Sequence, residues 1–258
     1  MQYKTFILCC FALIIPTLFM GQVLKEINKD SLGLPDPDKY PLGIYFKFGL
    51  PAGSFSYDAG YANIRRVLQD GEMDLPRISQ INVFEVGGRF KRFYLEMGVA
   101  GQFINSPIPP FFNDRFTVDF SRMMGWGDIG VSVWQNRNSA LILRLGAGSV
   151  GSSYQIRSLE NVNQVDFEDL LTETGANSST LIYHENTFLD MSVEWWKGRA
   201  KSRTSFGEAI RFGYRWGVKE TAWEVLDAPS VNAPLDRMGE IYFNLCFHLG
   251  YNFPQKAK

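Results

Sequence analysis

The chain has 258 residues, with 26 Lys and Arg against 27 Asp and Glu, and is 45% hydrophobic and 15% aromatic. That length and aromatic content exclude a disordered chain and allow a sizeable core. The even charge balance excludes nucleic acid as a partner, because such binders concentrate a basic excess. Three Cys cannot build a disulfide framework or a four-Cys zinc site.

Lys4 is followed by an apolar run from Phe6 to Met20 and then by Gly21. The run has the length of a secretory signal core and falls short of the roughly 20 residues that a spanning helix needs. Residues 1–21 therefore read as a cleaved signal peptide, although Phe19 at the −3 position is bulkier than usual. Cys9 and Cys10 leave with it, so the exported chain keeps Cys246 and has no intramolecular disulfide. Residues 22–40 read as a periplasmic N-terminal segment, 41–253 as a barrel and 254–258 as a short tail.

Beyond residue 40 the recurring pattern is strict alternation, the period of a strand with two unlike faces. In chain order, Leu42, Ile44, Phe46 and Phe48 oppose Gly43, Tyr45, Lys47 and Gly49, and Phe84 and Val86 oppose Glu85, Gly87 and Arg89. Phe93, Leu95, Met97 and Val99 oppose Tyr94, Glu96 and Gly98, while Ile129, Val131 and Val133 oppose Asp128, Gly130 and Ser132. Leu141, Leu143 and Leu145 oppose Ile142, Arg144 and Gly146, and Leu189, Met191, Val193 and Trp195 oppose Asp190, Ser192, Glu194 and Trp196. Ile210, Phe212, Tyr214 and Trp216 oppose Arg211, Gly213, Arg215 and Gly217, with the pattern running on to Lys219. In the last segment Ile241 to Phe253 alternates with Tyr242, Asn244, Cys246, His248, Gly250 and Asn252.

Short connections near 89–92, 135–138 and 197–206 alternate with long ones near 51–80, 105–122, 157–180 and 220–238. The spacing predicts an all-β fold: an eight-stranded antiparallel up-and-down transmembrane β-barrel with short periplasmic turns and long extracellular loops. A soluble carrier barrel alternates too, but with its apolar face inside. Here the apolar face carries aromatics near strand ends, as a membrane girdle does, and the other face is loaded with Gly, which suits a crowded lumen.

On these patterns the chain resembles the small eight-stranded outer-membrane β-barrel proteins of the OmpA/OmpX-like class, and more loosely the outer-membrane barrels of Bacteroidota. The resemblance spans residues 41–253. It implies localisation in the cell outer membrane, contact with outer-membrane lipid, and handling by the barrel-assembly machinery during biogenesis. The aromatic last strand is similar to the C-terminal assembly signal of that class, which points to Phe247, Tyr251 and Phe253. Pro254 to Lys258 follow the last Phe and depart from the usual form.

If the polar face lines the lumen, Lys47, Arg89, Arg144, Arg211, Arg215 and Lys219 meet Glu85, Glu96, Asp128, Asp190 and Glu194, with His248 among them. Buried charges must pair, so near-equal numbers predict an internal salt-bridge network and no open pore. A proton or ion path is the functional alternative for the same residues. Gly146 to Gly151 matches G-x-G-x-x-G but lacks the following helix that would hold a pyrophosphate, so no cofactor is implied. His184-Glu185 starts like a zinc motif, but Phe188 stands where the second His belongs, so no metal site is expected. A lipid-modifying enzyme would need a Ser, His and acid set. His248 with Ser192 and Glu194, or His184 with nearby serines, are the candidates, and neither makes a compact signature, so no catalytic residue is assigned.

The loops carry Tyr61 to Leu68, a candidate amphipathic helix, and Ser106 to Phe112, a stiff apolar knuckle. They also carry the acidic stretch Leu159 to Thr174, and Trp223, Val225, Leu226 and Pro229. These residues either contact a protein or glycan ligand or pack on one another as a lid. The expected role is an envelope scaffold or binding protein acting through its extracellular loops. The alternatives are an outer-membrane lipid A acyl hydrolase or transferase, and an accessory subunit of a secretion or uptake complex.

Overall fold

A computed structural model describes residues 41–70, 77–101, 111–112, 116–136, 139–158, 179–201, 204–225 and 232–253. The signal peptide, the segment 22–40, the acidic loop 159–174 and the tail 254–258 lie outside the described residues. So do most of the Pro-rich knuckle, Leu226 and Pro229.

Eight long strands form the wall: β1 (Leu42–Asp58), β2 (Asn82–Phe90), β3 (Phe93–Gly101), β4 (Phe116–Gln135), β5 (Ser139–Ser158), β6 (Ser179–Lys201), β7 (Thr204–Gly217) and β8 (Gly239–Phe253). Each pairs antiparallel with the strand before and after it, and β1 pairs with β8, so the sheet closes. Closure satisfies every backbone group that would otherwise form a bare edge in lipid. A path of paired residues from Leu42 passes through Phe90, Phe93, Val131, Leu143, Val193, Phe212 and Phe243. It returns to β1 at Phe55, farther up the strand than it began, so the strands are staggered and tilted as barrel closure demands. A bulge between Gly49 and Ser54 absorbs part of that stagger.

The faces are inverted relative to a soluble protein. Leu95, Met97, Ile129 and Met191 are 63%, 67%, 64% and 64% exposed on the outside, whereas Lys47 and Arg215 are 0% exposed inside. An apolar wall this continuous is stable only against acyl chains, since water would not tolerate so large a patch. Phe90, Phe93, Trp134, Phe206, Tyr251 and Phe253 crowd the short-turn end of the wall, and Tyr57, Tyr214 and Trp216 stand towards the other end.

The strands run well past the segments that alternation marks. β4 begins at Phe116, inside the expected loop 105–122, and β1 continues to Asp58. The reason lies on the outer face. Above the apolar band it carries Gly125, Gly127, Ala147, Ser149, Thr187 and Glu185 in place of Phe and Leu, while the inner face holds Trp126, Val150 and Phe188 among its polar residues, so the apolar-out, polar-in contrast fades. At the other extreme, β7 stops at Gly217, two residues short of Lys219. The helix α1 (Ala62–Asp70) lies between β1 and a short strand, Ile78–Gln80, that pairs with β1.

Placing a charge in the middle of the wall tests its environment. Leu145→Arg is expected to lower folding stability in vesicles by about 2–4 kcal/mol, against under about 1 kcal/mol for Glu185→Arg above the band. Urea titration of bilayer-inserted protein measures both, and equal costs would mean that this wall does not face lipid.

Candidate functional site

The lumen is filled in tiers. Nearest the short turns, Tyr45, Tyr94 and Trp196 meet at ring distances of 5.0–6.2 Å, and His248 stacks on Trp196 at 4.5 Å. These rings come from β1, β3, β6 and β8, so they brace the barrel across its diameter. The remaining space at this mouth is a cavity of about 20 Å³, lined in part by Arg89, Gln135, His248 and Asn252, room for little more than one water. Arg89 belongs to this mouth, where its Nη2 donates to Asn252 Oδ1 at 3.1 Å.

Above the rings lies an ionic belt. Lys47 Nζ stands 2.6 Å from each of Glu85 Oε2, Glu96 Oε2 and Glu194 Oε1, so one ammonium joins β1 to β2, β3 and β6. Arg144 reaches Glu194 at 2.5 Å, Asp128 at 2.7 Å and Glu96 at 3.3 Å. Arg211 spreads its guanidinium over Glu85, Glu96, Asp128 and Asp190 at 2.9–3.3 Å, while its Nε donates to Ser192 Oγ and Tyr242 Oη. Arg215 carries the chain upward to Asp190 at 3.0 Å and Glu240 at 3.1 Å. Its guanidinium also lies 4.1 Å from the Tyr242 ring and 4.6 Å from that of Trp126, where a cation gains from the ring faces. Each charge in the belt thus meets more than one opposite partner, which offsets the cost of removing it from water.

Glycine makes this crowding feasible. A Cβ at Gly98 would overlap the Trp126 indole, and one at Gly213 would lie 2.5 Å from the Tyr242 ring. Both rings therefore lie flat across neighbouring strands and still leave room for the guanidinium groups.

The upper tier closes the long-loop mouth. Arg122 approaches Asp58 at 3.4 Å and Glu240 at 3.7 Å, and Arg65 of α1 reaches Asp58 at 2.7 Å. Ile64 and Leu68 of α1 are fully buried against a cluster that includes Val150, Ile182, Phe188 and Trp223. Asp236 anchors the helix start, its carboxylate accepting from Asn63 N at 2.9 Å, Ile64 N at 2.8 Å and Trp223 Nε1 at 2.9 Å. A carboxylate in that place satisfies otherwise orphaned amides and complements the helix dipole.

Of the residues singled out in the sequence, Lys47, Glu85, Glu96, Asp128, Arg144, Asp190, Glu194, Arg211 and Arg215 come together in the belt. Lys219 does not: it is exposed beyond the end of β7, so its inclusion is corrected. Arg89 and His248 sit below the belt, at the short-turn mouth. Asp58, Arg65, Arg122 and Glu240 join the network without having been anticipated, because they fall in stretches that read as loop or as strand end. Phe247, Tyr251 and Phe253 share the outer face of β8, the last two in edge contact at 5.1 Å.

The two histidines offer weak chemistry. His184 Nε2 pairs with Thr221 Oγ1 at 2.6 Å and stacks on Trp223 at 4.7 Å, but no carboxylate orients its Nδ1, since that of Asp236 is committed to α1 and Trp223. Ser192 Oγ accepts from Arg211, which leaves it in the belt. Gly146 to Gly151 runs inside β5, which continues as strand to Ser158. Among the described residues no His, Cys, Asp and Glu group is arranged to hold a metal.

Two substitutions probe the tiers. Lys47→Met leaves the three carboxylates of Glu85, Glu96 and Glu194 with only their arginine partners around an apolar side chain and is expected to cost about 3–5 kcal/mol in urea unfolding. Asp236→Ala is expected to cost about 1–3 kcal/mol and to speed amide exchange chiefly over residues 62–70, since it frees the helix start without touching the wall.

No family model matches the chain, and no curated protein matches its sequence. Solved structures do resemble it in arrangement. Ail, the attachment invasion locus protein of Yersinia pestis, is 10% identical, with 81% of this chain and 99% of that one covered and a TM-score of 0.38. The outer-membrane protein OprG of Pseudomonas aeruginosa is 8% identical, with 83% and 98% covered and a TM-score of 0.39. Neisserial surface protein A is 7% identical, with 83% and 97% covered and a TM-score of 0.38. The closed sheet, the inverted faces and the filled lumen rest on this chain's own residues: it is an eight-stranded antiparallel barrel of the outer-membrane type.

Proposed function

We propose that this protein is an integral outer-membrane scaffold or binding protein whose contacts are made at the loop rim and whose lumen carries no traffic. The observation that supports this reading is the continuous filling of the lumen, from the Tyr45, Tyr94 and Trp196 rings through the belt to α1 and Trp223. An ion crossing the barrel would have to part several charge pairs and lift a packed helix. In this reading the chain is exported by its N-terminal signal, which is then removed. It is recognised by the assembly machinery through the outer aromatic face of β8 and surrounded by outer-membrane lipid, and a protein or glycan ligand meets its extracellular loops. The belt serves structure: it fixes the register and shuts the pore.

Two measurements on the reconstituted full-length protein test the proposal. Planar bilayer recordings are expected to show no steady single-channel current, and a large persistent conductance would refute the closed lumen. Removing residues 159–174 is expected to leave the barrel folded while weakening adhesion to cell-surface glycans or proteins on an array. Unchanged adhesion after that removal would take the acidic loop out of the binding role.

A further inference from the structure

Among the described residues the long-loop rim is chemically lopsided. Over β4 to β6 its described outward side chains include Asp119, Glu185 and Glu224. Over β7, β8 and β1 it carries Arg77, Lys219 and Arg237, all exposed, against the single exposed carboxylate of Glu220 among the described residues there. Two of these cations, Arg77 and Arg237, sit directly on the upper aromatic edge of the apolar wall. Arg77 Nη1 donates to Tyr57 Oη at 3.3 Å, and the Arg237 guanidinium lies 5.9 Å from the Trp216 ring. The aromatics form one surface, because Ile78 pairs with Tyr57, Tyr57 with Ile241 and Ile241 with Tyr214. The strap 58–61 ties both arginines to one piece of backbone: Asp58 N donates to the Arg77 carbonyl at 2.7 Å and Tyr61 N to the Arg237 carbonyl at 3.3 Å.

We infer that this arc is a docking surface for a phosphorylated lipid headgroup of the surrounding leaflet. The inference rests on the outer-membrane reading and adds a partner to it. Charge complementarity selects the occupant: guanidinium groups grip phosphate oxygens in pairs, and the aromatics below lie where acyl chains meet headgroups. Glu220 lies 3.9 Å from Arg237 Nη2, but both ends are open to solvent, so a doubly charged phosphate displaces this weak pair. The acyl chains of the same molecule would run down over Tyr57, Trp216, Tyr214 and Ile241.

The test uses the purified full-length chain in neutral detergent, titrated with diphosphorylated lipid A and with the same lipid stripped of phosphate, binding being read by native mass spectrometry. The wild type is expected to prefer the phosphorylated lipid, and Arg77→Gln, Lys219→Gln and Arg237→Gln to weaken it about fivefold each. Arg77→Lys with Arg237→Lys keeps most of the binding, whereas Lys91→Gln with Arg92→Gln at the opposite rim leaves it unchanged. Heat-modifiable gel mobility confirms in each case that the barrel is formed. Equal binding of both lipids, an unaffected triple variant, or an equal loss from the Lys91 and Arg92 pair would overturn the inference. A wild type that fails to insert into vesicles at all would instead overturn the outer-membrane reading beneath it.

Discussion

The position of Lys47 between Glu85, Glu96 and Glu194 governs much of the rest. Two of those carboxylates come from the consecutive strands β2 and β3 and the third from β6, 147 residues along the chain from Lys47, so the contact forms only when β1, β2, β3 and β6 stand in a closed ring with the observed stagger. A slip of one residue in any strand would turn its inner side chains outward. In a soluble sheet such a slip wets some leucines. Here it would push Lys, Arg or Glu into hydrocarbon and draw Phe or Leu into the ionic belt, a penalty on both faces at once. The belt is thus better understood as the device that makes one register far preferable to its neighbours than as a large net source of stability, since buried ion pairs gain little over apolar packing.

The same constraint explains which parts of the fold were legible in the sequence. Within the apolar band, alternation is forced by two unlike surroundings, so segments such as Phe93 to Val99 and Ile210 to Trp216 announce themselves. Above the band the outside is water, and the strands continue with Ser149, Gly151 and Ser153 facing out, so the signal vanishes although the hydrogen bonding does not. Arg122, Asp58 and Glu240 were missed because each lies where the apolar band ends, with an apolar outer neighbour on one side (Met123, Tyr57, Ile241) and a small or polar one on the other (Ser121, Ala59, Gly239). Lys219 erred the other way, because Val218 prolongs the apolar face by one residue past the end of β7, its amide still donating to the Thr187 carbonyl, while Lys219 is already exposed. The pairing of particular charges was not legible, since it depends on the stagger that carries β6 round to face β1.

Polar residues alone do not fill the lumen, and this modifies a simple inside-polar, outside-apolar picture. Tyr45, Tyr94, Ile142 and Trp196 point inward as surely as Arg144 does. Their role follows from volume. A small barrel must be packed by side chains, and a belt of charges needs a low, fixed environment on either side to hold its geometry. Flat rings provide that below, and Trp126, Phe188 and the α1 cap provide it above. Gly98 and Gly213 are the counterpart of those rings, giving up side-chain volume on one strand so that an aromatic from the next can lie across it.

A barrel closed in this way places function at its boundary. The wall gives a rigid ring, and the cap ties that ring to the loop side: Asp58 holds Arg65 of α1 while its backbone amide pairs with Arg77, and Asp236 holds the start of the same helix next to Arg237. The groups that seal the lumen are therefore the groups that position the exposed arginines above the lipid. Sealing and surface recognition are then one construction. A side chain such as Arg237 is held at headgroup height by the same backbone contacts that keep Tyr61 and Trp223 packed over the mouth, so loosening the cap would blur the charge pattern of the rim before it opened any passage.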